Sequence, residues 1–201
     1  MSVLTWPTLA RKLPPQFEWQ LISNTQTFTS PLSGSIQTIE MPGARWACAF
    51  SLGALDAQDA ALMRAFMAKL RGQSGRFYFW NMARPTPRGI ATGSPIINGA
   101  SQTGSTLSTS GWTPSTAGIL KAGDFFSVNN ELKIVVEDAT SNASGVATLT
   151  FEPPLRYSPS NGLAITTNKP TTIFKMDEDS ARQITTAPLL DAISFAMTEA
   201  W

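Results

Sequence analysis

Histidine is absent from this sequence, and with it go the commonest general base, the usual proton shuttle and the commonest metal ligand. Ser-His and Cys-His catalysis are excluded on that ground, and a metal site would lack its most frequent donor. Cysteine is almost as scarce. Cys48 stands alone, so no intrachain disulfide is available and a reducing compartment fits best. Charge is low too, at 14% of the 201 residues against about 25% in an average soluble domain. The 15 Lys and Arg against 14 Asp and Glu leave a formal net charge of +1, so no overall field draws the chain to nucleic acid or to an anionic membrane. No run of about 18 apolar residues occurs, and the opening MSVLTWPTLARKLPPQ lacks the apolar stretch of a signal peptide. The expectation is a chain made in the cytoplasm, without a membrane span, able to bury one substantial core or two small ones.

What the sequence has instead is 23 Thr and 20 Ser beside 14 Gly and 14 Pro, with short strand-like runs between turns. Phe17, Trp19 and Leu21 alternate with Glu18 and Gln20. From Arg45 to Leu52, Trp46, Cys48, Phe50 and Leu52 share one face. Both are half-buried strands by period. Cys48 on the apolar face is expected to be a buried small hydrophobe, since no basic neighbour is visible to activate its thiol.

One helix is expected, from Asp56 to Arg71. Leu62, Phe66 and Leu70 recur every fourth residue with Met63 and Met67 beside them, and five alanines favour the helix intrinsically. Asp56 suits the N-cap, Asp59 the first turn, Lys69 and Arg71 the last turn, and Gly72 a left-handed stop. The apolar stripe is expected to pack on a sheet. Directly after it, Phe77 and Phe79 fall on one face of a strand and Tyr78 and Trp80 on the other, so both faces need a core or a subunit interface. Trp46, Tyr78, Trp80 and Trp201 are accordingly the candidate core or interface aromatics. Arg64, Lys69, Arg71, Arg76, Arg84 and Arg88 make the stretch from Ala60 to Ala91 basic without one acid, and a nucleic-acid stacking platform here is weighed against core aromatics with solvated helix-end cations.

From Thr92 to Ser110 the composition turns to Gly, Ser and Thr, marking a boundary or a weakly packed hairpin. The runs 125–128, 132–136, 146–151, 165–167 and 172–176 are then expected as strands of a small antiparallel barrel or sandwich. A last strand carries Ile193, Phe195 and Met197 on one face and leads to Trp201. An isolated terminal strand is unstable, so this one is expected to join the first sheet. The fold class is therefore mainly β. A sandwich-like first domain with one helix takes residues 1–91 and 177–201, and a second small β domain is inserted at 92–176.

Chemical motifs are sparse. No Gly-rich phosphate loop, dinucleotide fingerprint or metal-ligand spacing occurs, no cofactor is expected, and Asp177-Glu178-Asp179 is expected as an exposed turn. Two rival functions keep candidate residues. A glycan-binding module would use Trp6, Trp19, Trp112 or Trp201 as an exposed platform, and a glycosidase would pair carboxylates from Glu40, Asp124, Asp138 or Glu152.

Gly43-Ala44-Arg45-Trp46, the helix, and Arg71-Gly72-Gln73-Ser74-Gly75-Arg76-Phe77 resemble the first domain of distal tail proteins of long-tailed bacteriophages. Gly111-Trp112, Leu120-Lys121-Ala122-Gly123-Asp124, Leu132 with Val135, Gly145-Val146-Ala147, Pro153-Pro154-Leu155-Arg156 and Pro170 to Phe174 resemble the second, β-barrel domain of related tail proteins. The resemblance implies a structural virion protein and no enzyme. It implies a ring, typically six-fold, at the distal end of the tail, with a belt domain forming the ring and the second domain projecting outward. The implied partners are further copies of the chain, the tail tube, the tail-tip hub and tape-measure or fibre proteins, with only transient DNA contact. On that reading some of the six cations named above face the channel.

Overall fold

The structure, a computed structural model, describes residues 2–10, 14–180, 183–186 and 190–201. In chain order its elements are β1 (Leu4–Thr5), β2 (Phe17–Ile22), β3 (Thr25–Thr29), β4 (Ile36–Glu40), β5 (Arg45–Leu55), α1 (Ala57–Leu70), β6 (Phe77–Trp80), β7 (Gly93–Ile97), β8 (Thr106–Trp112), β9 (Phe125–Val128), β10 (Glu131–Val135), β11 (Ala147–Glu152), β12 (Thr171–Met176), β13 (Gln183–Thr186) and β14 (Leu190–Glu199). The fold is mainly β with a single α-helix among the described residues. Contacts divide the chain into two compact units. The first holds residues 7–76 and 174–201, and the second residues 2–6 and 77–173. The stretch 77–91, grouped with the first domain in the sequence-based division, thus falls within the second unit.

In the first unit β5 and β14 are the inner strands. Strand β5 pairs antiparallel with β2 on one side and with β14 on the other, and β14 in turn pairs with β12 and β13. The register sets like against like. Phe50 lies opposite Phe195, Cys48 opposite Met197 and Leu52 opposite Ile193, all six buried. Directly opposed side chains on one face touch, so the period-2 pattern of two strands far apart in sequence closes one core. Trp19 of β2 extends it, its ring 5.6 Å from Trp46 and 5.7 Å from Phe174.

The helix contacts β5 and β14. Asp56 caps it, its side chain accepting from the Asp59 amide at 2.8 Å, and Asp59 in turn accepts from the Ala10 amide. Ala60, Met63, Phe66 and Leu70 are its buried apolar residues, whereas Leu62, expected on the stripe, is exposed. The stop also differs from expectation. Arg71 itself takes the left-handed conformation at φ 52°, before Gly72 at φ 67°, and a 3-10 turn over Gly72–Ser74 follows. Gly75 then passes so close to Leu70 that a Cβ would meet the Leu70 carbonyl oxygen at 2.3 Å.

In the second unit β1 runs parallel to β6, and Trp6 packs its ring on Phe77 and Phe79. A separate five-stranded antiparallel sheet has the order β7-β8-β11-β10-β9. Ile97, Leu107, Trp112, Phe126, Val135, Leu149 and Phe151 fill its core, so the Gly/Ser/Thr-rich stretch forms a hairpin of β7 and β8 that buries one face. The expected strand at 165–167 is reduced to single bridges, Ile96 with Ala164 and Ser127 with Thr166.

Candidate functional site

Each candidate aromatic has a defined place. Trp46 is core, 3% exposed, with its amide donating to Glu199 Oε2 at 3.1 Å. Tyr78 and Trp80 are half-buried, and Lys169 Nζ lies 5.6 Å from the Trp80 ring centre. Trp201 is 60% exposed, with the Arg45 guanidinium 5.9 Å from its ring centre. The exposed-platform idea fails for two of its four tryptophans. Trp6 and Trp112 are buried, and the Trp112 indole N–H donates to Thr109 Oγ1 at 2.7 Å. Large aromatic rings close a small core more effectively than any other side chain here, and that outweighs their use as a platform.

Of the four candidate carboxylates, Glu40 is exposed at the end of β4 and the other three are engaged in structure. Asp124 is buried and accepts from the amides of Arg88, Gly89 and Lys121 at 2.8–2.9 Å, with the Arg88 side chain 3.5 Å away. Asp138 accepts from the Ala122 amide, and Glu152 from the Ser105 hydroxyl. Glu131 holds the fully buried Lys133 at 2.8 Å and accepts from the Arg156 and Tyr157 amides. A buried charge needs this degree of satisfaction to be tolerated. Among the described residues no group of three or more Cys, Asp or Glu gathers as a metal site, and no helix is long and apolar enough to cross a membrane. Asp177, Glu178 and Asp179 are exposed, with Asp179 accepting from the Gln73 amide.

The six cations divide between the units, Arg64, Lys69, Arg71 and Arg76 on the first and Arg84 and Arg88 on the second. Arg64 pairs with Asp191 at 2.7 Å, Arg88 with Asp124, and Arg76 donates to the carbonyls of Gln73, Ser74 and Gly75. Lys69, Arg71 and Arg84 are exposed.

The most conspicuous surface was not singled out by sequence. Beyond Asn24 and Met41 the ribbon of β2 and β5 continues as the β3–β4 hairpin, an arm in which every strand residue is exposed. Phe28, Ile36 and Ile39 are each about two-thirds exposed and Leu32 at the turn is 98% exposed. Two signals were available. Glu40 is the sole charge between Glu18 and Arg45, and the run Thr25-Gln26-Thr27-Phe28-Thr29 alternates without enough apolar residues to register as a core strand. No protein-family model matches this chain, and no curated protein matches it.

Proposed function

We propose that this chain is a structural virion protein that assembles into a homo-oligomeric ring, most simply a hexamer, at the distal end of a phage tail. In this role it joins the tail tube to the tail-tip hub. It acts through surface and rigidity, with no bond-making step, and it is made in the host cytoplasm before entering the virion. Tape-measure or fibre proteins are further partners, and DNA passing through the ring touches it only transiently.

The observation that carries this reading is that the segments resembling distal tail proteins build the joints of both units. Arg71 to Phe77 forms the helix stop, the tight Gly75 crossing over Leu70 and the entry to β6. Leu120 to Asp124 is the turn whose last carboxylate gathers three backbone amides. At Gly111 (φ +83°) and Gly145 (φ +69°) an added Cβ would meet the carbonyl oxygens of Ser94 and Trp112 at 2.4 and 2.3 Å. Short motifs at such joints specify a fold, and the ring follows from the likeness of these motifs to those of distal tail proteins. The exposed Phe28, Leu32, Ile36 and Ile39 of the arm support the same reading, since large apolar side chains gathered on one exposed element suit an interaction surface.

Imaging the purified protein by negative-stain electron microscopy, alone and with a tail-tube protein, tests the proposal. Closed rings are expected, and particles of single-chain size under both conditions would overturn it. Lys69, Arg71 and Arg84 are the cations to mutate in a salt-screened DNA-contact assay, because the other three already engage carboxylates or carbonyls.

A further inference from the structure

We infer that the arm Ile22–Pro42 is the device that joins one copy of this chain to the next, laying its free strand edges and its Phe28–Ile39 face on a second copy. This rests on the ring reading and supplies its contact.

The arm is directed at its base. The Met41 amide donates to the Asn24 carbonyl at 2.7 Å and the Asn24 side-chain amide donates to the Pro42 carbonyl at 2.7 Å, so the hairpin leaves the sheet through a fixed joint. Its register places Gln26 opposite Ile39 and Phe28 opposite Gln37, which puts the Phe28 and Ile39 side chains on one face. Thr25, Thr27, Thr29, Ile36, Thr38 and Glu40 share the other. Within residues 22–42 only Ser30 is less than exposed. A two-stranded ribbon covered on neither face is marginal in water, so a folded arm calls for a cover.

Size and charge say what covers it. The Phe28–Ile39 face holds Gln26, Phe28, Gln37 and Ile39, fewer than the about 20–30 residues that one side of a standard protein interface uses, so the strand edges add to the contact. Glu40 is its sole charge. Phosphate-bearing partners, whether nucleic acid or anionic lipid, find no cation on it. A strongly charged protein partner gains no complementarity either. A second copy does fit. The chain is nearly neutral, so copies do not repel, and among the described strands β2 pairs with β5 and ends the sheet. A strand at the end of a sheet is the kind of edge to which a further strand adds. Thr-rich β3 suits such pairing, because threonine fits a pleated, half-covered surface. Arm on edge is a head-to-tail contact, which makes a ring when the rotation between copies closes and an open filament when it does not.

The test uses the full chain in light scattering, with Phe28→Asp/Ile39→Asp as the variant and Ile36→Asp as a second, on the opposite face. These side chains are exposed in the single chain, so the Phe28/Ile39 variant should keep the folded circular-dichroism signal at 25 °C while it falls from the oligomeric mass to the 21.6 kDa of one chain. Hydrogen exchange should show the amides of 25–29 and 36–40 protected in the wild-type oligomer and unprotected in that variant. An oligomer of wild-type mass in both variants overturns the arm and leaves the ring reading standing. A wild-type protein that is a single chain at every concentration overturns both. Phe28- and Ile39-dependent flotation with phosphatidylcholine/phosphatidylglycerol vesicles, without loss of oligomer in the variants, would assign the arm to a membrane and also overturn the proposal.

Discussion

Glu199, near the end of the last strand, accepts a hydrogen bond at 3.1 Å from the backbone amide of Trp46, 153 positions earlier in the chain. Both residues are buried. The bond ties the outer end of β14 to the first turn of register in β5, where the arm rejoins the sheet. Replacing Glu199 with Ala leaves a buried donor to find another acceptor, a loss of about 1–3 kcal/mol. Glu199→Gln keeps a carbonyl oxygen in place and should lose less. Urea unfolding of the two variants beside wild type checks the order, and equal stabilities for all three would deny the bond its role.

Removing Ile193 to Trp201 should unfold the first unit. Ile193, Phe195 and Met197 are buried against β5, and burying such a side chain contributes about 1.5–3 kcal/mol. Their sum is of the order of the about 5–15 kcal/mol that holds a typical domain folded. Circular dichroism on heating is the measurement, and a truncated chain with an unchanged melting temperature contradicts the packing described.

Asp124→Ala should destabilise the second unit by about 3 kcal/mol or more, since three backbone amides and one guanidinium lose a common acceptor. Asp124→Asn, which can still accept through one oxygen, should fall between. Intrinsic fluorescence follows the unfolding, and because the chain has six tryptophans a Trp112→Phe control identifies the share of the buried Trp112.

Cys48 gives a pH signature. Burial pushes its thiol well above the ordinary range, and the nearby Glu18 carboxylate acts in the same direction. The folded protein therefore holds a proton that the unfolded chain releases once pH exceeds the ordinary thiol pKa. Stability from this group is complete below that point and declines above it, by about 1.4 kcal/mol per pH unit, until the raised folded pKa is reached. Unfolding free energies measured at pH 8 and pH 10 should fall more steeply for wild type than for Cys48→Ala. The same burial predicts slow labelling of the native thiol by iodoacetamide, and fast labelling would show that the β5 face opens.

Much of the fold was legible because it follows period. The alternation of Trp46, Cys48, Phe50 and Leu52 and the Asp56 cap are both observed, with β5 and α1 beginning where those residues mark. Tertiary pairing was less legible. Leu62 belongs to the helical repeat yet faces outward, since the helix buries only the row from Ala60 to Leu70 that meets β5 and β14. Trp6 and Trp112 looked available for a ligand because a sequence does not show which aromatic has a ring or a threonine waiting for it. The arm escaped for the opposite reason. Its threonines and glutamines lack the apolar repeat by which strands are recognised, although the absence of charge from Trp19 to Ile39 was a usable sign.

The ring is the claim on which the account turns, and the mass of the purified chain in solution tests it most directly. Static light scattering across a concentration series should show a defined closed oligomer, about six times the 21.6 kDa chain, growing in as concentration rises and ceasing to grow beyond it. A single-chain mass throughout, or open-ended growth without a plateau, would contradict it.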